Sequence, residues 1–400
     1  MPQQNILSPS PRGSGSRARW VLILTLSPLL LSLSVVYCPS FWIHVLMLLD
    51  YYYEGFVLFD SPMAQSYQHF LLSRIPDRDE IPLPELALED LSKESLERMS
   101  NGYTFPVVIR GLLKESPALT QWADRKWWVE NYGNESVLCK YVEQIGKEGG
   151  EAPECTIAKS FGDENGENRM YISGESKLFV RRPELEQALH SDLIEKVAPG
   201  ARVFTQLFMG FPHMGSDVHG AVGCNMFRQI VGRKKWWLFP QSQTPYIRAS
   251  INKNGFSAHT LTKIGKEENG VPSSYLTKIE RYTVILNPGD VLLNPPWIWH
   301  GIKNLGEDPN SLVIGVPTRY KVPFLIPAVR NNWLLTIIAL RAITKRFGGM
   351  QTFLENPANL QNGIELARNA RAGEMNKESD VKVADLERQL ADREKAEREM

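Results

Sequence analysis

The chain has 400 residues, of which 43% are hydrophobic, so it is long and apolar enough to bury a sizeable core. Its 45 basic and 45 acidic side chains balance to a formal net charge of zero. A nucleic-acid partner is therefore not expected, because binding phosphates requires a surplus of positive charge on one face. The same argument excludes a chromatin substrate. Four cysteines are too few for a disulfide-rich scaffold.

The N-terminal part of the chain predicts a membrane anchor. Residues 1–19 are rich in Ser, Arg, Pro and Gly and predict a disordered tail. Residues 20–49 contain no Asp, Glu, Lys or Arg and are long enough to cross a bilayer as a helix, with Trp20–Tyr37 as the preferred span. The arginines before this segment predict a single-pass type II protein with a cytosolic tail, whose other residues face the endoplasmic reticulum or Golgi lumen or the exterior. An uncleaved signal anchor is preferred, and a cleaved signal peptide is the alternative.

Two further features bear on this compartment. Asn134 begins an Asn-Glu-Ser glycosylation sequon, which fits a luminal domain. Cys139 and Cys155 flank a loop rich in Gly, Glu and Lys, and they form a disulfide if the compartment is oxidising. Two free thiols are the alternative, so the pairing stays open.

The rest of the chain divides by composition. Residues 50–103 predict a neck with N-terminal helices, and residues 104–320 predict a barrel or sandwich, because short β-rich runs there alternate with Gly, Pro and Asn. Residues 321–372 predict C-terminal helices with an apolar stripe from Trp333 to Ile343 that packs on the domain, and residues 373–400 predict a charged tail. The predicted strands include Pro106–Arg110, Val203–Met209, Met226–Val231, Trp236–Phe239, Thr283–Leu286 and Leu312–Val316.

Two segments carry motifs for chemistry. The first reads GSDVHGA over Gly215–Ala221 and continues as NMFRQIVGRKKWWLFP over Asn225–Pro240; the second reads PGDVLLNPPWIWH over Pro288–His300. With the run PVVIRGL over Pro106–Leu112, they resemble the JmjC and cupin-like Fe(II)/2-oxoglutarate-dependent oxygenases, and most of all the asparaginyl-hydroxylase branch. The resemblance implies a mainly β fold, a double-stranded β-helix with flanking α-helices, beside the predicted N-terminal transmembrane helix.

The resemblance also implies a site for Fe(II) and 2-oxoglutarate. A non-haem Fe(II) site of this kind takes two imidazoles and one carboxylate on one face, leaving the other positions for cosubstrate and dioxygen. By resemblance, His219 and His300 are the two metal-ligating, catalytic imidazoles. Lys234 pairs with the distal carboxylate of 2-oxoglutarate. The pocket is further lined by Ser216, Asn225 and Phe227.

The chain departs from the family pattern at Ala221, which stands where the carboxylate ligand is expected and has no atom that coordinates a metal. Three interpretations remain open. Asp217, two residues before His219, projects to the same face of a regular strand and supplies the carboxylate from the other side. Alternatively, the open position takes a halide, as in 2-oxoglutarate-dependent halogenases. The third interpretation is a catalytically inactive binding or assembly module that keeps the fold.

The sequence thus predicts a membrane-anchored, oxygenase-like protein with an incomplete His-x-Ala…His triad. If active, it is a hydroxylase-type 2-oxoglutarate-dependent dioxygenase acting on an unknown protein or small-molecule substrate. Because related hydroxylases dimerise through helices after the barrel, a homodimer through the C-terminal helices is a further expectation.

Overall fold

The structure is a computed structural model that describes residues 39–52, 62–141, 154–163, 167–189, 192–247, 249–252, 255–260, 278–321 and 325–346. The described strands are β1 Ile81–Pro82, β2 Glu85–Leu86, β3 Val107–Ile109, β4 Ser136–Tyr141, β5 Glu154–Thr156, β6 Met170–Glu175, β7 Ala201–Thr205, β8 Leu207–Gly210, β9 Gly215–Ala221, β10 Asn225–Val231, β11 Arg233–Phe239, β12 Ala249–Ile251, β13 Ser257–Thr260, β14 Tyr282–Leu286, β15 Val291–Asn294, β16 Trp299–Leu305 and β17 Val313–Lys321. The described helices are α1 Pro39–Tyr52, α2 Pro62–Ser73, α3 Lys93–Met99, α4 Ala118–Gln121, α5 Arg125–Tyr132, α6 Ile157–Ser160, α7 Lys177–Arg181, α8 Pro183–Gln187, α9 Asp192–Val197 and α10 Leu325–Arg346, with a 3₁₀ helix at Gln241–Tyr246.

The strands form two sheets. One has the order β1-β14-β11-β16-β9-β13-β12, and the other has the order β2-β3-β15-β10-β17-β8-β6-β4-β5, with β7 also paired to β17. The pairs are antiparallel except β1 with β14 and β2 with β3. Because β10 and β11 follow each other in the chain but lie in different sheets, the chain crosses between the sheets at the centre of the domain. This is the mainly β, cupin-like architecture that the sequence predicts.

The sequence of β10 and β11 explains this crossing. Every residue of β10 is buried, whereas β11 alternates, with Lys234, Trp236 and Leu238 buried and the residues between them less so. A two-residue period of this kind is that of a strand with one face on a core. Gly232 joins the two strands with a φ of +65°, and a Cβ there would lie 2.8 Å from the Leu312 carbonyl oxygen. Only glycine meets both conditions, so the turn depends on this residue.

Three buried apolar clusters hold the layers together. The inner cluster lies between the sheets and takes Phe227 and Leu292 from one sheet and Trp236 and Leu238 from the other. A second cluster joins the outer face of the β10 sheet to the helices that precede and follow β4 and β6. A third joins the outer face of the β9 and β16 sheet to α1 and α10. The inner cluster marks the interior of the barrel, where the motif residues lie.

Helix α1 changes the predicted boundary of the anchor. Its Ile43 and Met47 are buried in the cluster shared with α10, so residues 39–49 pack on the domain although the sequence assigns them to the anchor. The preferred span Trp20–Tyr37 lies outside the described residues, as does the tail 373–400. Within the residues that the structure describes, every helix is too short or too polar to span a membrane.

Helix α10 bears out the predicted C-terminal helix but not all of its packing. Leu334, Leu335 and Ile338 are buried, whereas Trp333 is 61% and Ile337 53% exposed. All five residues follow a break at Asn332 (φ −153°, ψ 94°), and Trp333 and Ile337 lie one turn apart on the same face of the second helical segment, which is turned away from the domain. The stripe therefore faces solvent in part. A homodimer through these helices stays a prediction.

The loop between β4 and β5 is closed by a disulfide. Cys139 and Cys155 are bonded, with their Cα atoms 6.0 Å apart. The register pairs Val137 with Cys155, which places the two cysteines on adjacent strands. Cys139 and Cys155 therefore form a disulfide in the structure and are not two free thiols.

Candidate functional site

Two histidines lie side by side on neighbouring strands. His219 of β9 is paired directly with His300 of β16, so their side chains project to the same face. Their ring centroids are 4.2 Å apart. Nδ1 of His219 lies 2.9 Å from the carbonyl oxygen of Asp217, and Nδ1 of His300 lies 2.8 Å from that of Ile298. A carbonyl only accepts, so each Nδ1 donates and each Nε2 keeps its lone pair, as in a metal-ligating histidine.

Both rings are neutral at physiological pH. Burial lowers the pKa of His219, and the charges of Arg319, Lys140 and His259 lower it further. Burial and the neighbouring His219 hold the pKa of His300 well below its usual value. The pair therefore presents two neutral imidazole nitrogens, the form in which histidine binds a metal.

Among the described residues, the position expected to supply the third metal ligand holds an alanine. Ala221 lies two residues after His219 on the same strand and pairs with Ser257 of β13. A bulge separates His219 from Ser216, because the partner strand advances by two residues, from His300 to Ile302, while β9 advances by three. The extra residue breaks the regular alternation that places Asp217 on the histidine face. In the described part of the chain, no group of three or more His, Cys, Asp or Glu side chains is arranged to hold a metal ion. The residues present therefore fit two imidazole ligands but not the three-ligand site, and Asp217 as a ligand stays a prediction.

A buried lysine lies deeper in the barrel. Lys234 of β11 is 1% exposed, and its Nζ donates to Oδ1 of Asn304 at 2.6 Å. Asn304 in turn donates from Nδ2 to the Phe211 carbonyl oxygen at 2.9 Å. Burial lowers the pKa of Lys234 to about 7, and no described carboxylate contributes to that pKa. An amide oxygen is thus the hydrogen-bond acceptor of a cation in a dry interior, where an anion would be stabilised strongly.

Unsatisfied polar atoms surround the space between Lys234 and the histidines. Such atoms are rare in native interiors, and several in one region indicate a site for ordered water or a polar ligand. In the sheet register, Trp236 and Ser216 lie on either side of Ile302, and Asn225 faces Asn294. Among the buried side-chain atoms without a hydrogen-bond partner in the described residues, those near Lys234 and the histidines are Ser216 Oγ, Asn225 Oδ1, Trp236 Nε1 and Asn294 Oδ1.

Aromatic rings form one wall of this space. The ring of Trp236 stacks on His300 with centroids 5.5 Å apart. Phe227 meets Trp236 edge-on at 4.7 Å. The structure thus brings the sequence-predicted residues His219, His300, Lys234 and Phe227 to one barrel interior, together with Ser216 and Asn225.

Sequence reasoning missed four polar residues in or beside this interior. Asn294 places its Nδ2 3.5 Å from both ring nitrogens of His300, and Asn304 binds Lys234. Arg319 pairs with Asn225 because β17 continues to Lys321, five residues beyond the predicted strand end at Val316. Side chains of a strand point alternately to its two faces. Extending the predicted strand beyond Val316 would have placed Arg319 on the face that also carries Asn225. His259, directly opposite His219 on β13, is a fourth polar neighbour.

Comparison with known proteins agrees with the cupin-like fold. The family model described as "Cupin-like domain" matches residues 95–316. Jumonji C domain-containing protein 5 of Drosophila melanogaster is 22% identical over 245 residues, which are 58% of this chain and 59% of the relative. HSPB1-associated protein 1 is 27% identical in Bos taurus over 194 residues (44% of this chain, 37% of the relative) and 32% identical in Homo sapiens over 104 residues (23% and 18%). The chain thus matches less than two thirds of the length of each of these relatives. Since the family model covers more than half of the chain, the protein belongs to the JmjC-like cupin-like domain family.

Proposed function

We propose that this protein is an oxygenase-like member of the family whose barrel binds 2-oxoglutarate, or a dicarboxylate of similar length, with one carboxylate on Lys234. The observation that carries the proposal is the buried ammonium of Lys234, whose acceptor is the Asn304 side-chain amide. A buried charge without a counter-charge costs several kcal/mol, and a carboxylate from a ligand removes much of that cost.

The length of the interior supports a dicarboxylate. Asn304, opposite Lys234, and His300 are four residues apart on one strand, which corresponds to about 13 Å between their Cα atoms. Side chains of strands stand roughly perpendicular to the sheet, so a ligand that contacts both Lys234 and the histidines must cover a distance of this order. A five-carbon dicarboxylate has carboxylate carbons about 5 Å apart, and the contact that it makes at each end adds to this length. Trp236 and Ser216 both pair with Ile302, which lies between Asn304 and His300 on β16. Their unpartnered Ser216 Oγ and Trp236 Nε1 atoms therefore offer hydrogen bonds to the dicarboxylate.

The role of iron is proposed only as far as the ligands allow. His219 and His300 would hold the metal, which when bound supplies the dioxygen chemistry of the family. A site with two protein ligands should bind the metal more weakly than a site with three. Losing even a residue that only hydrogen-bonds to a metal ligand typically lowers metal affinity about ten- to hundredfold, and losing a ligand itself should cost at least as much. Lys234 and the polar atoms of Ser216 and Asn225 hold the cosubstrate, and the aromatic wall excludes water.

The first experiment is an anaerobic titration of the full-length protein with Fe(II) and 2-oxoglutarate, followed by the visible charge-transfer band of the chelated cosubstrate. Ala221→Asp restores a carboxylate two residues after His219 and is the matched gain-of-ligand variant. A band in both proteins supports an oxygenase-like site, and a band in Ala221→Asp alone supports a surviving pocket that binds metal poorly. If 2-oxoglutarate binds neither protein, with or without metal, the proposal is wrong.

A second candidate function is a binding module without turnover, and Ala221 is the observation that favours it. The name of the HSPB1-associated relatives describes association with another protein, and we propose such a partner for this chain as well. Succinate release in step with oxygen consumption would decide for catalysis. Ligand binding without succinate release would decide for the binding module.

We also propose that the domain faces an oxidising lumen or the exterior. The disulfide between Cys139 and Cys155 and the exposed position of Asn134 support this orientation. The test is thiol labelling of the full-length chain taken from cells without reductant. Two additional labels should appear after reduction, and an unchanged number would contradict the proposal.

A further inference from the structure

The proposed dicarboxylate site leaves a second cation of the barrel without a function. Nη1 of Arg319 donates to the Gly223 carbonyl oxygen at 3.1 Å. Burial lowers the pKa of Arg319 to about 10, so the guanidinium is charged at neutral pH. In the described residues no carboxylate pairs with it; the other group that affects its pKa is the thiol of Cys224. Its remaining N–H donors form a planar fork, which suits an oxyanion.

Arg319 lies at the histidine end of the barrel. It is paired with Asn225, which is itself paired with Asn294, and Asn294 is 3.5 Å from the ring of His300. The charge of Arg319 also acts on both His219 and His300. The guanidinium is thus beside the point where a substrate would meet the reacting groups.

A dicarboxylate on Lys234 has only one further carboxylate for the histidine end of the barrel. Cε of Lys234 lies 3.0 Å from where a Cβ of Gly315 would be. Gly315 and Arg319 are four residues apart on the same face of β17, or about 13 Å. The hydrogen bond to Gly223, which precedes Asn225 in the chain, holds the guanidinium still farther from Lys234. A five-carbon dicarboxylate spans only about 5 Å between its carboxylate carbons, and in the proposed function its second carboxylate lies at the histidine pair, so it brings no additional anion for Arg319.

Ala221 explains why this charge is available. An aspartate at that position, two residues before Gly223, whose carbonyl oxygen accepts from Arg319, would add a carboxylate to this end of the barrel. The alanine removes that carboxylate, which is also the expected metal ligand. The loss of one carboxylate therefore leaves an excess of positive charge at this end of the barrel.

We propose that Arg319 forms a second oxyanion subsite beside the histidine pair, which holds a carboxylate or phosphate group of the substrate. The unsatisfied Asn225 Oδ1 next to it accepts a hydrogen bond from a hydroxyl or amide of the same molecule. The substrate class is thus an anionic small molecule or an acidic side chain. The subsite rests on the proposed function in one respect, namely that the cosubstrate occupies Lys234.

The test is a calorimetric titration of the metal-free, full-length protein with inorganic phosphate, with acetate and with 2-oxoglutarate. Arg319→Gln keeps a polar side chain without the charge, and Lys234→Met is its counterpart at the other subsite. We expect Arg319→Gln to weaken the binding of phosphate or acetate at least tenfold and to change that of 2-oxoglutarate less than threefold. Lys234→Met should give the reverse pattern. The tighter of the two probes identifies phosphate or carboxylate as the preferred group.

Ala221→Asp is a second variant that leaves Arg319 in place. Its carboxylate should pair with the guanidinium and weaken phosphate or acetate binding at least tenfold, so the test holds even if Arg319→Gln does not fold. Probe binding that is absent from the unaltered protein, or unchanged in both variants, would overturn the subsite. Equal loss of 2-oxoglutarate binding in Arg319→Gln and Lys234→Met would place Arg319 in the cosubstrate site instead. Loss of the proposed function has a different signature, namely 2-oxoglutarate binding that is unaffected by Lys234→Met.

Discussion

Lys234→Met should make the ligand-free protein more stable. Burial lowers the lysine pKa from 10.5 to about 7. At 1.36 kcal/mol for each pKa unit, the charged form costs up to about 4 kcal/mol at pH 7. Methionine has a similar length and no charge, but it leaves Asn304 Oδ1 without a donor, which costs about 1–3 kcal/mol. The burial cost is the larger, and we expect a net gain of about 2 kcal/mol.

The pH dependence of this gain has a defined sign. The folded-state pKa lies below the unfolded value, so between about pH 7 and 10.5 the unfolded state binds more protons than the folded state. The unaltered protein therefore becomes more stable relative to Lys234→Met as the pH rises through that range. The burial cost is complete below pH 7 and falls by about 1.36 kcal/mol for each pH unit above it, so the net advantage of the variant is gone at about pH 9, and above that pH the unaltered protein is the more stable.

The assay is urea unfolding of both proteins at several pH values between 6.5 and 9, with and without 2-oxoglutarate. Ligand at a hundred times its dissociation constant should stabilise the unaltered protein by about 2.7 kcal/mol and leave Lys234→Met unchanged. Lys235→Met is the matched control, because Lys235 forms a surface pair with Glu80 at 3.0 Å, which is worth about 0–1 kcal/mol. A variant that is less stable than the unaltered protein at pH 7 without ligand would refute this reasoning.

Two further predictions concern stability away from the barrel interior. Cys155→Ser should lower the free energy of unfolding by about 3 kcal/mol, because the bond to Cys139 closes a loop with a sequence separation of 16. Equal unfolding midpoints of the unaltered protein with and without reductant would contradict this. Asp290→Asn should cost about 2–3 kcal/mol in chemical unfolding, since this buried carboxylate accepts from Arg110 at 2.6 Å and from the Gly111 amide at 3.0 Å. Its 2-oxoglutarate affinity should stay within threefold, and a larger loss would mean that this turn shapes the pocket.

Local patterns were sufficient for the strands and for the central motif. The alternation of Lys234, Trp236 and Leu238 and the turn at Gly232 are short-range features, and β10, β11 and β14 all appear where the sequence predicts them. The run Val203–Met209 is interrupted in the structure at Gln206. The backbone N–H of this residue donates to the Pro317 carbonyl oxygen at 3.0 Å. That partner is more than a hundred residues away, so no local pattern reveals the interruption.

The sequence by itself determined the family, the two histidines, Lys234 and the missing carboxylate at Ala221, because residue identity and spacing carry that information. Only the tertiary structure decided what surrounds them. The bulge that shifts Asp217 comes from pairing with β16. Arg319 reaches the histidine end because an antiparallel register brings β17 beside Asn225. Registers and contacts between distant strands depend on the whole packed domain, and a linear pattern does not contain them.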